Sequence, residues 1–156
     1  MIIRQAIIND TAAIADFNIK MAKETEDMDL IPDVINAGVS SMIENPAMGF
    51  YLVAEEDNII QASLMVTTEW SDWRNGLFWW IQSVYVQPQY RRMGLYSKLY
   101  EKVKNLAQDK GNVCGFRLYV EHENITAQKT YRSLGMEKTD YQMFEEMKSE
   151  MKYPSN

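Results

Sequence analysis

The apolar and polar positions along the chain predict strands and helices in the order β-α-α-β-β-β-α-β-α-β. Alternating positions or short continuous apolar runs indicate six strands, and apolar residues three and four apart indicate four helices. The strands are predicted at residues 2–8, 50–55, 59–68, 78–86, 115–121 and 139–147. The helices are predicted to begin near Thr11, Pro32, Gly94 and Asn124. This order predicts a mixed sheet with helices on its faces, of the α/β or α+β class.

Capping and turn residues indicate where the helices end. The run Asn9, Asp10 and Thr11 offers an N-cap for the first helix, and Pro32 suits the first turn of the second. Gly111 and Gly135 lie just past the third and fourth helices, as terminal glycines do. Residues 24–29 are polar and acidic, and they are predicted to form the connection between the first two helices.

Composition narrows the class of protein. A length of 156 residues predicts a single domain, residues 1–156, with a substantial core. The net charge of −6 argues against a nucleic-acid partner, and no apolar run is long enough to predict a membrane partner. Cys114 is the only cysteine and no signal-peptide pattern is visible, which predicts a cytoplasmic protein. With His122 as the only histidine, no metal site is expected.

The end of the predicted central strand leads into a basic turn. Pro88 cannot donate to a strand ladder, and Arg91 and Arg92 precede the start of an amphipathic helix near Gly94. The N–H groups and dipole of such a helix end favour an anion, and glycine lets an anion approach the backbone closely. The turn therefore suits a phosphate or pyrophosphate, although two arginines there could equally form a solvated turn.

A second informative segment spans residues 124–136. Ala127 and Tyr131 lie four positions apart, on one face of the predicted fourth helix. A small residue at 127 leaves room for a ligand beside the Tyr131 hydroxyl. The alternative is that Tyr131 is a core aromatic residue with its hydroxyl at the surface.

Both segments resemble motifs of the GNAT superfamily of N-acetyltransferases. Arg91 and Gly94 match the R-x-x-G-x-[GA] motif, with Tyr96 where the family usually has Gly or Ala. The second segment is similar to the N-x-x-A-x-x-x-Y-x-x-x-G-[FM] pattern of these enzymes. The resemblance extends over roughly residues 2 to 147. It implies a mixed, mostly antiparallel sheet that is flanked by helices and splayed at its central strand.

The resemblance also implies acetyl-CoA as cosubstrate and gives roles to particular residues. In this family the central strand pairs with the pantetheine arm, the turn binds the pyrophosphate, and the Tyr of the second motif protonates the leaving thiolate. The implied acyl-CoA-binding residues are Val84, Tyr85, Val86, Arg91, Arg92, Met93, Gly94, Leu95, Tyr96, Asn124, Ala127 and Tyr131. An ordinary ladder at residues 84–86 is the alternative for the strand.

The general base does not follow the family pattern. Gln82 stands near the position where many members carry Glu, and an amide cannot take a proton. Glu24 and Glu26 are the preferred candidates for catalytic carboxylates, because the connection after the first helix lines the acceptor side in this fold. They could also attract a cationic amine. Glu121 and Glu123 are further candidates, and each of the four could be a solvated charge.

We therefore expect an N-acetyltransferase in which a primary amine attacks acetyl-CoA directly within a ternary complex. The acceptor is a small molecule or a peptide, its identity and the acyl-chain length stay open, and a homodimer is possible. The alternatives are a catalytically silent acyl-CoA-binding sensor and a plain interaction domain. Trp70 and Trp73 could line the acceptor pocket or belong to a satellite core. Arg74 could bind a carboxylate of the acceptor or form a surface ion pair.

Overall fold

The computed structural model describes residues 1–150, in two compact units. The larger comprises residues 1–118, and the smaller begins at Tyr119. Residues 151–156 of the predicted polar tail, 148–156, lie outside the described residues. Within residues 1–150, no helix combines the length and the apolar character that crossing a membrane requires.

The larger unit is built on a five-stranded sheet whose strands lie side by side in chain order. Neighbouring strands are antiparallel, except that β4 and β5 are parallel. The mixed, mostly antiparallel sheet predicted from the sequence is thus confirmed. Its elements are β1 Ile2–Gln5, α1 Thr11–Glu26, α2 Pro32–Glu44, β2 Gly49–Glu56, β3 Ile59–Ser71, β4 Gly76–Val86, α3 Leu95–Lys110 and β5 Val113–Arg117.

Helices cover the sheet on both faces. Ile14 of α1 and Val39 of α2 are fully buried in one cluster with Val53 of β2. Leu52 and Ala54 alternate with Val53 toward the opposite face and are equally buried, and α3 packs along the strands. Burial on both faces explains why β2 and β4 read as continuous apolar runs instead of alternating ones.

The first strand is shorter than predicted, ending at Gln5 instead of residue 8. The carboxylate of Asp10 accepts hydrogen bonds from the Ile7 N–H at 2.8 Å and from Arg4 at 2.7 Å. These bonds turn the chain into a 3-10 turn at Ile8–Asp10 before α1 begins. Asp10 is the N-cap residue of α1, but its side chain makes no cap hydrogen bond because it is used here.

The first helix is longer than predicted. It continues to Glu26 and ends at Asp27, whose φ is 49°. Glutamate is a good helix former, so the acidic composition of 24–29 did not mark a loop. Glu24 and Glu26 therefore lie on the last turn of a helix, and the prediction that they belong to a connection is wrong.

The end of the chain departs most from the prediction. β5 covers Val113–Arg117 instead of 115–121, and residues 139–147 form no strand, so the predicted sixth strand is wrong. The alternating pattern of 139–147 is real, but Tyr141, Met143 and Phe144 are all exposed. A strand needs a partner for its backbone groups, and no ladder forms over this segment. The smaller unit contains the helix α4, Ile125–Ser133.

The tryptophans in and before the central strand differ in exposure. β3 runs to Ser71, three residues beyond the prediction, so Trp70 lies on a strand. Trp70 and Trp73 are exposed, which excludes the satellite-core alternative for both. Trp79 is buried and meets Phe50 edge to face at 5.3 Å.

Candidate active site

The central feature of the site is the parting of β4 from β5. The two strands pair from Leu77↔Val113 to Trp80↔Arg117, and no residue of β4 beyond Trp80 pairs with β5. On its other edge β4 stays paired with β3 as far as Val86↔Ala62. Within the larger unit, the second half of β4 thus has one open edge, as the splayed central strand of the prediction requires.

A bulge within β4 changes which backbone groups face that edge. The register with β3 shifts between Met65↔Gln82 and Ser63↔Tyr85, which leaves β4 one extra residue there. Ser83, at the bulge, has φ 49°. Beyond the bulge, the Gln87 N–H donates to the Gln61 carbonyl at 2.9 Å. Backbone groups alternate in direction along an antiparallel strand. The N–H and C=O of Tyr85 therefore face β3 like those of Gln87, and the N–H and C=O of Val86 face away from β3. Of the strand residues predicted to pair with a ligand, Val86 is therefore turned to the open edge and Tyr85 is not.

The turn after β4 has the backbone shape that the sequence predicted. Pro88–Tyr90 forms a 3-10 turn, Arg92 has φ 64°, and Gly94 is the N-cap of α3 with φ 74°. A Cβ built on Gly94 would meet no atom within 4 Å, so the space above the helix start is open. Exposed N–H groups at a helix start, next to a left-handed residue, form an anion-binding concavity.

The remaining predicted residues of the turn differ in exposure. Met93 is exposed, whereas the Leu95 side chain is buried in the core. Leu95 can therefore contact a ligand only through its backbone N–H. Tyr96 replaces the small residue of the family motif, and its ring stacks on Tyr100 at 6.2 Å.

The two arginines of the turn have different surroundings. The Arg91 Nε donates to the Val86 carbonyl at 2.9 Å, and its Nη2 donates to Glu24 Oε2 at 2.7 Å. Its guanidinium also lies 5.5 Å from the centre of the Tyr85 ring. Arg92 is exposed and makes no hydrogen bond or ion pair with residues 1–150. Arg92 is therefore the available cation of the turn, while Arg91 is engaged with protein groups.

Glu24 lies beside the central strand and is held by two partners. Besides Arg91, it accepts a hydrogen bond from the Tyr85 hydroxyl at 3.0 Å. The hydrogen bond from Arg91 holds the pKa of Glu24 below its ordinary value. Burial, reinforced by Glu24, raises the pKa of Tyr85. The cluster Glu24–Tyr85–Arg91 thus contains a carboxylate that stays ionised and a phenol that stays protonated at neutral pH.

The other candidate carboxylate does not join this cluster. Glu26 is exposed on the same helix turn and makes no hydrogen bond or ion pair with residues 1–150. Gln82, at the position of the usual family base, donates through Nε2 to Thr67 Oγ1 at 2.8 Å. Of the two candidate carboxylates in the larger unit, Glu24 contacts the turn and Glu26 does not.

The second motif, residues 124–136, lies in the smaller unit and includes α4. The Asn124 side chain caps the helix by accepting from the Ala127 N–H at 3.1 Å, as its position predicted. Tyr131 is half-buried, and burial raises the pKa of its hydroxyl. Gly135, at φ 91°, follows the end of the helix. These residues have the local structure expected of them, and their roles remain predictions.

Sequence reasoning did not find the contact between Glu24 and the central strand. The signal is the spacing of Phe17 and Glu24, which are seven residues apart and so share one face of α1. The Phe17 ring lies 5.1 Å from the Tyr85 ring, and Glu24 meets the hydroxyl of the same tyrosine. Only the packing of α1 on β4 identifies Tyr85 as the shared partner.

Known proteins of one class resemble this chain. Residues 12–136 match the model of the Acetyltransferase (GNAT) family. The structure of a possible acetyltransferase from Clostridium difficile 630 is similar with a TM-score of 0.87 and 46% identity, over 94% of this chain and 96% of that one. A predicted acetyltransferase with acetyl-CoA from Clostridium acetobutylicum shares the fold, with a TM-score of 0.77 and 18% identity over 93% and 95% of the two chains.

A shorter similarity concerns a thialysine N-epsilon-acetyltransferase from Sus scrofa. It is 42% identical over 57 residues, which are 36% of this chain and 32% of the pig protein. The matched part is thus about a third of that relative. The family match covers most of the chain and agrees with the parted β4 and β5 and with the turn before α3. The chain belongs to the GNAT family of acetyltransferases.

Proposed function

We propose that the chain is an N-acetyltransferase that transfers the acetyl group of acetyl-CoA to a primary amine. The observation that carries the proposal is the open edge of β4 beyond Trp80, which leads directly to the exposed turn before α3. An extended amide-containing arm can pair with such an edge, and a pyrophosphate suits the helix start.

Individual residues suit particular portions of acetyl-CoA. The outward-facing backbone of Val86 suits an amide of the pantetheine arm, and Arg92 with the N–H groups after Gly94 suits the pyrophosphate. Backbone N–H groups near the bulge at Ser83 suit the oxyanion that forms when an amine attacks the thioester carbonyl. Tyr131, whose raised pKa keeps it protonated, gives a proton to the departing thiolate. The amine attacks in its neutral form and loses its N–H proton to solvent, from which Tyr131 is reprotonated.

We propose a cationic primary amine as the acceptor class. Glu24 is an ionised carboxylate beside the central strand, and the chain carries a net charge of −6. A relative acts on thialysine, and an aminoglycoside acetyltransferase of the same fold was solved with a bisubstrate analogue of CoA and acetylneamine. Both compounds carry amino groups that are protonated at neutral pH.

The test is thiol release from acetyl-CoA in the presence of thialysine, spermidine and an aminoglycoside, each assayed separately. We expect at least one amine to raise CoA release above hydrolysis, with the acetylated amine detected by mass spectrometry. Tyr131→Phe serves as the matched control, since it keeps the ring and removes the hydroxyl. If none of the three amines yields an acetylated product, this acceptor class is rejected.

A second candidate is a catalytically silent acyl-CoA-binding module. The observation in its favour is that Gln82 replaces the usual base and is bonded to Thr67. This function predicts CoA binding by isothermal titration without thiol release from any amine in the panel. Turnover that falls in Tyr131→Phe would exclude it.

A further inference from the structure

Arg91 has three protein partners. Its Nη2 is 2.7 Å from Glu24 Oε2, its Nε is 2.9 Å from the Val86 carbonyl oxygen, and its guanidinium is 5.5 Å from the Tyr85 ring centre. Two of these partners, Val86 and Tyr85, lie in the second half of β4, where β4 no longer pairs with β5. An acyl-CoA phosphate at the turn would compete with Glu24 for this guanidinium.

The negative charge of Glu24 is neutralised by its ion pair with Arg91. One carboxylate oxygen accepts from Arg91 and the other from the Tyr85 hydroxyl at 3.0 Å. A cationic amine that approaches Glu24 therefore meets an ion pair with no net charge. The same carboxylate without Arg91 would present a full negative charge to the amine.

The ion pair between Arg91 and Glu24 is exposed enough for Arg91 to exchange one anionic partner for another. The side chains of Arg91 and Glu24 are 44% and 41% exposed, and an ion pair so open to solvent is only weakly held. A pyrophosphate at the start of α3 carries more negative charge than one carboxylate and has Arg92 and the helix dipole as further partners. Arg91 can turn from one anion to the other while its backbone stays in place.

We propose that Arg91 is shared between Glu24 and the phosphates of acyl-CoA, so that acyl-CoA binding releases Glu24 to receive a cationic amine. The proposal rests on the proposed function and adds a coupling between the two substrate sites. A cationic amine then binds more tightly to the acyl-CoA complex than to the free protein. Linkage requires that the amine strengthen acyl-CoA binding by the same factor.

The released carboxylate is also a better proton acceptor. The hydrogen bond from Arg91 is the main cause that lowers the pKa of Glu24, and its loss moves that pKa back toward the ordinary range. The same movement of Arg91 would thus make Glu24 both an anchor for the cation and a stronger base. Glu24 acquires these properties only when acyl-CoA is bound.

The decisive experiment compares Glu24→Gln with Glu26→Gln by isothermal titration with CoA alone. Both variants remove one negative charge from the same turn of α1, but only Glu24 contacts Arg91. We expect Glu24→Gln to bind CoA about three- to fivefold more tightly than wild type, because release from a solvent-exposed ion pair contributes no more than about that factor. Glu26→Gln should stay within about twofold of wild type.

Each result has a distinct meaning. If the wild type binds CoA and Glu24→Gln matches Glu26→Gln or binds more weakly, the sharing of Arg91 is wrong and the proposed function stands. If the wild type binds no CoA, the proposed function fails and the coupling fails with it.

A second measurement uses the wild type and is independent of how the variants fold. The Nε–H resonance of Arg91, assigned with Arg91→Lys, should shift when CoA is added, because its hydrogen bond to Val86 changes as the guanidinium turns. A resonance that stays in place at saturating CoA would overturn the proposal. Thermal unfolding of both glutamine variants completes the comparison.

Discussion

Arg91 and Arg92 are adjacent in the chain but differ in what their side chains contact. Arg91 is bound to Glu24 and Val86, whereas Arg92 has no partner among residues 1–150. A guanidinium without protein partners gains all of its charge-assisted hydrogen bonds when a phosphate binds. A guanidinium already bonded to protein groups gains only the difference in free energy between its bonds to the phosphate and the bonds it gives up. The two residues should therefore contribute unequally to CoA affinity.

We predict that Arg92→Ala weakens CoA binding by roughly 1.5–3 kcal/mol, as expected for loss of a charge-assisted hydrogen bond. Arg91→Ala should weaken it less, because that change also removes the competing ion pair. Isothermal titration of the two single variants measures both effects, with circular dichroism as the control for folding. Equal losses, or a larger loss in Arg91→Ala, would contradict the difference that the structure indicates.

Tyr131 is the residue on which the catalytic proposal depends most. Burial raises the pKa of its hydroxyl above the ordinary value of about 10, so it remains protonated throughout the neutral range. Tyr131→Phe should lower kcat by roughly 10²-fold, the lower end for general acid catalysis, with little change in the KM for acetyl-CoA. A single-turnover rate equal to that of wild type would remove the hydroxyl from the mechanism.

The raised pKa of the Tyr131 hydroxyl also predicts how turnover depends on pH. The proposed role of Tyr131 as general acid requires the protonated phenol, so any decline of kcat caused by Tyr131 belongs above about pH 10. A basic limb of kcat near pH 8 that disappears in Tyr131→Phe would show that the pKa of this hydroxyl is lowered instead. The pH profile of kcat for both proteins measures this directly.

At the scale of elements, α3 carries a left-handed glycine at each end. Gly94 has φ 74° and Gly111 has φ 79°, and a Cβ at either position would meet no atom within 4 Å. Alanine at either site therefore carries a similar backbone strain of about 1–2 kcal/mol and no clash with the protein. Gly94 is the N-cap of α3 and borders the candidate phosphate site, whereas Gly111 is the C-cap at the far end of the helix.

This symmetry allows backbone strain to be separated from ligand obstruction. We predict that Gly94→Ala and Gly111→Ala lower the free energy of unfolding by similar amounts, whereas Gly94→Ala alone weakens CoA binding. Denaturant unfolding and isothermal titration of both variants provide the measurements. Equal CoA affinities would show that Gly94 serves the turn and not the ligand.

At the scale of the whole molecule, Arg4 joins β1, the start of α1 and β2. It donates to Asp10 at 2.7 Å and to Glu55 at 2.5 Å. Burial raises the pKa of Asp10, but hydrogen bonds from Arg4 and the Ile7 N–H outweigh it, so the pKa lies below its ordinary value. A carboxylate with a depressed folded-state pKa stabilises the protein above its unfolded pKa of about 4, and this stabilisation is lost as the pH falls through the folded pKa.

We predict that Asp10→Asn lowers the free energy of unfolding at pH 7 by roughly 1.5–3 kcal/mol, because it breaks hydrogen bonds between charged groups in a buried place. Below about pH 4 the difference from wild type should shrink. Asp16→Asn is the matched control, since Asp16 forms an exposed i,i+4 pair with Lys20 that is worth much less. A difference that persists at low pH would contradict the assignment.

Much of the fold follows from local sequence signals, and the exceptions have identifiable causes. Pro32 at the start of α2, Gly111 after α3 and the Asn124 cap of α4 all lie where the sequence predicted. Errors arose where a distant partner was decisive: Asp10 ended β1 early, and the alternating segment 139–147 found no strand to pair with. A cytoplasmic location and a homodimer remain predictions.

The sequence by itself determined the order of the main elements, the strand–turn–helix of residues 78–96 and the family resemblance. These depend on local periodicity, on proline and on glycine, whose effects extend over a few residues. Tertiary structure alone decided where β4 leaves β5 and which of two neighbouring arginines is free. It also decided that Glu24, and not Glu26, meets Tyr85 and Arg91. Glu24 and Arg91 are 67 residues apart, and only the packing of α1 against β4 brings their charges together.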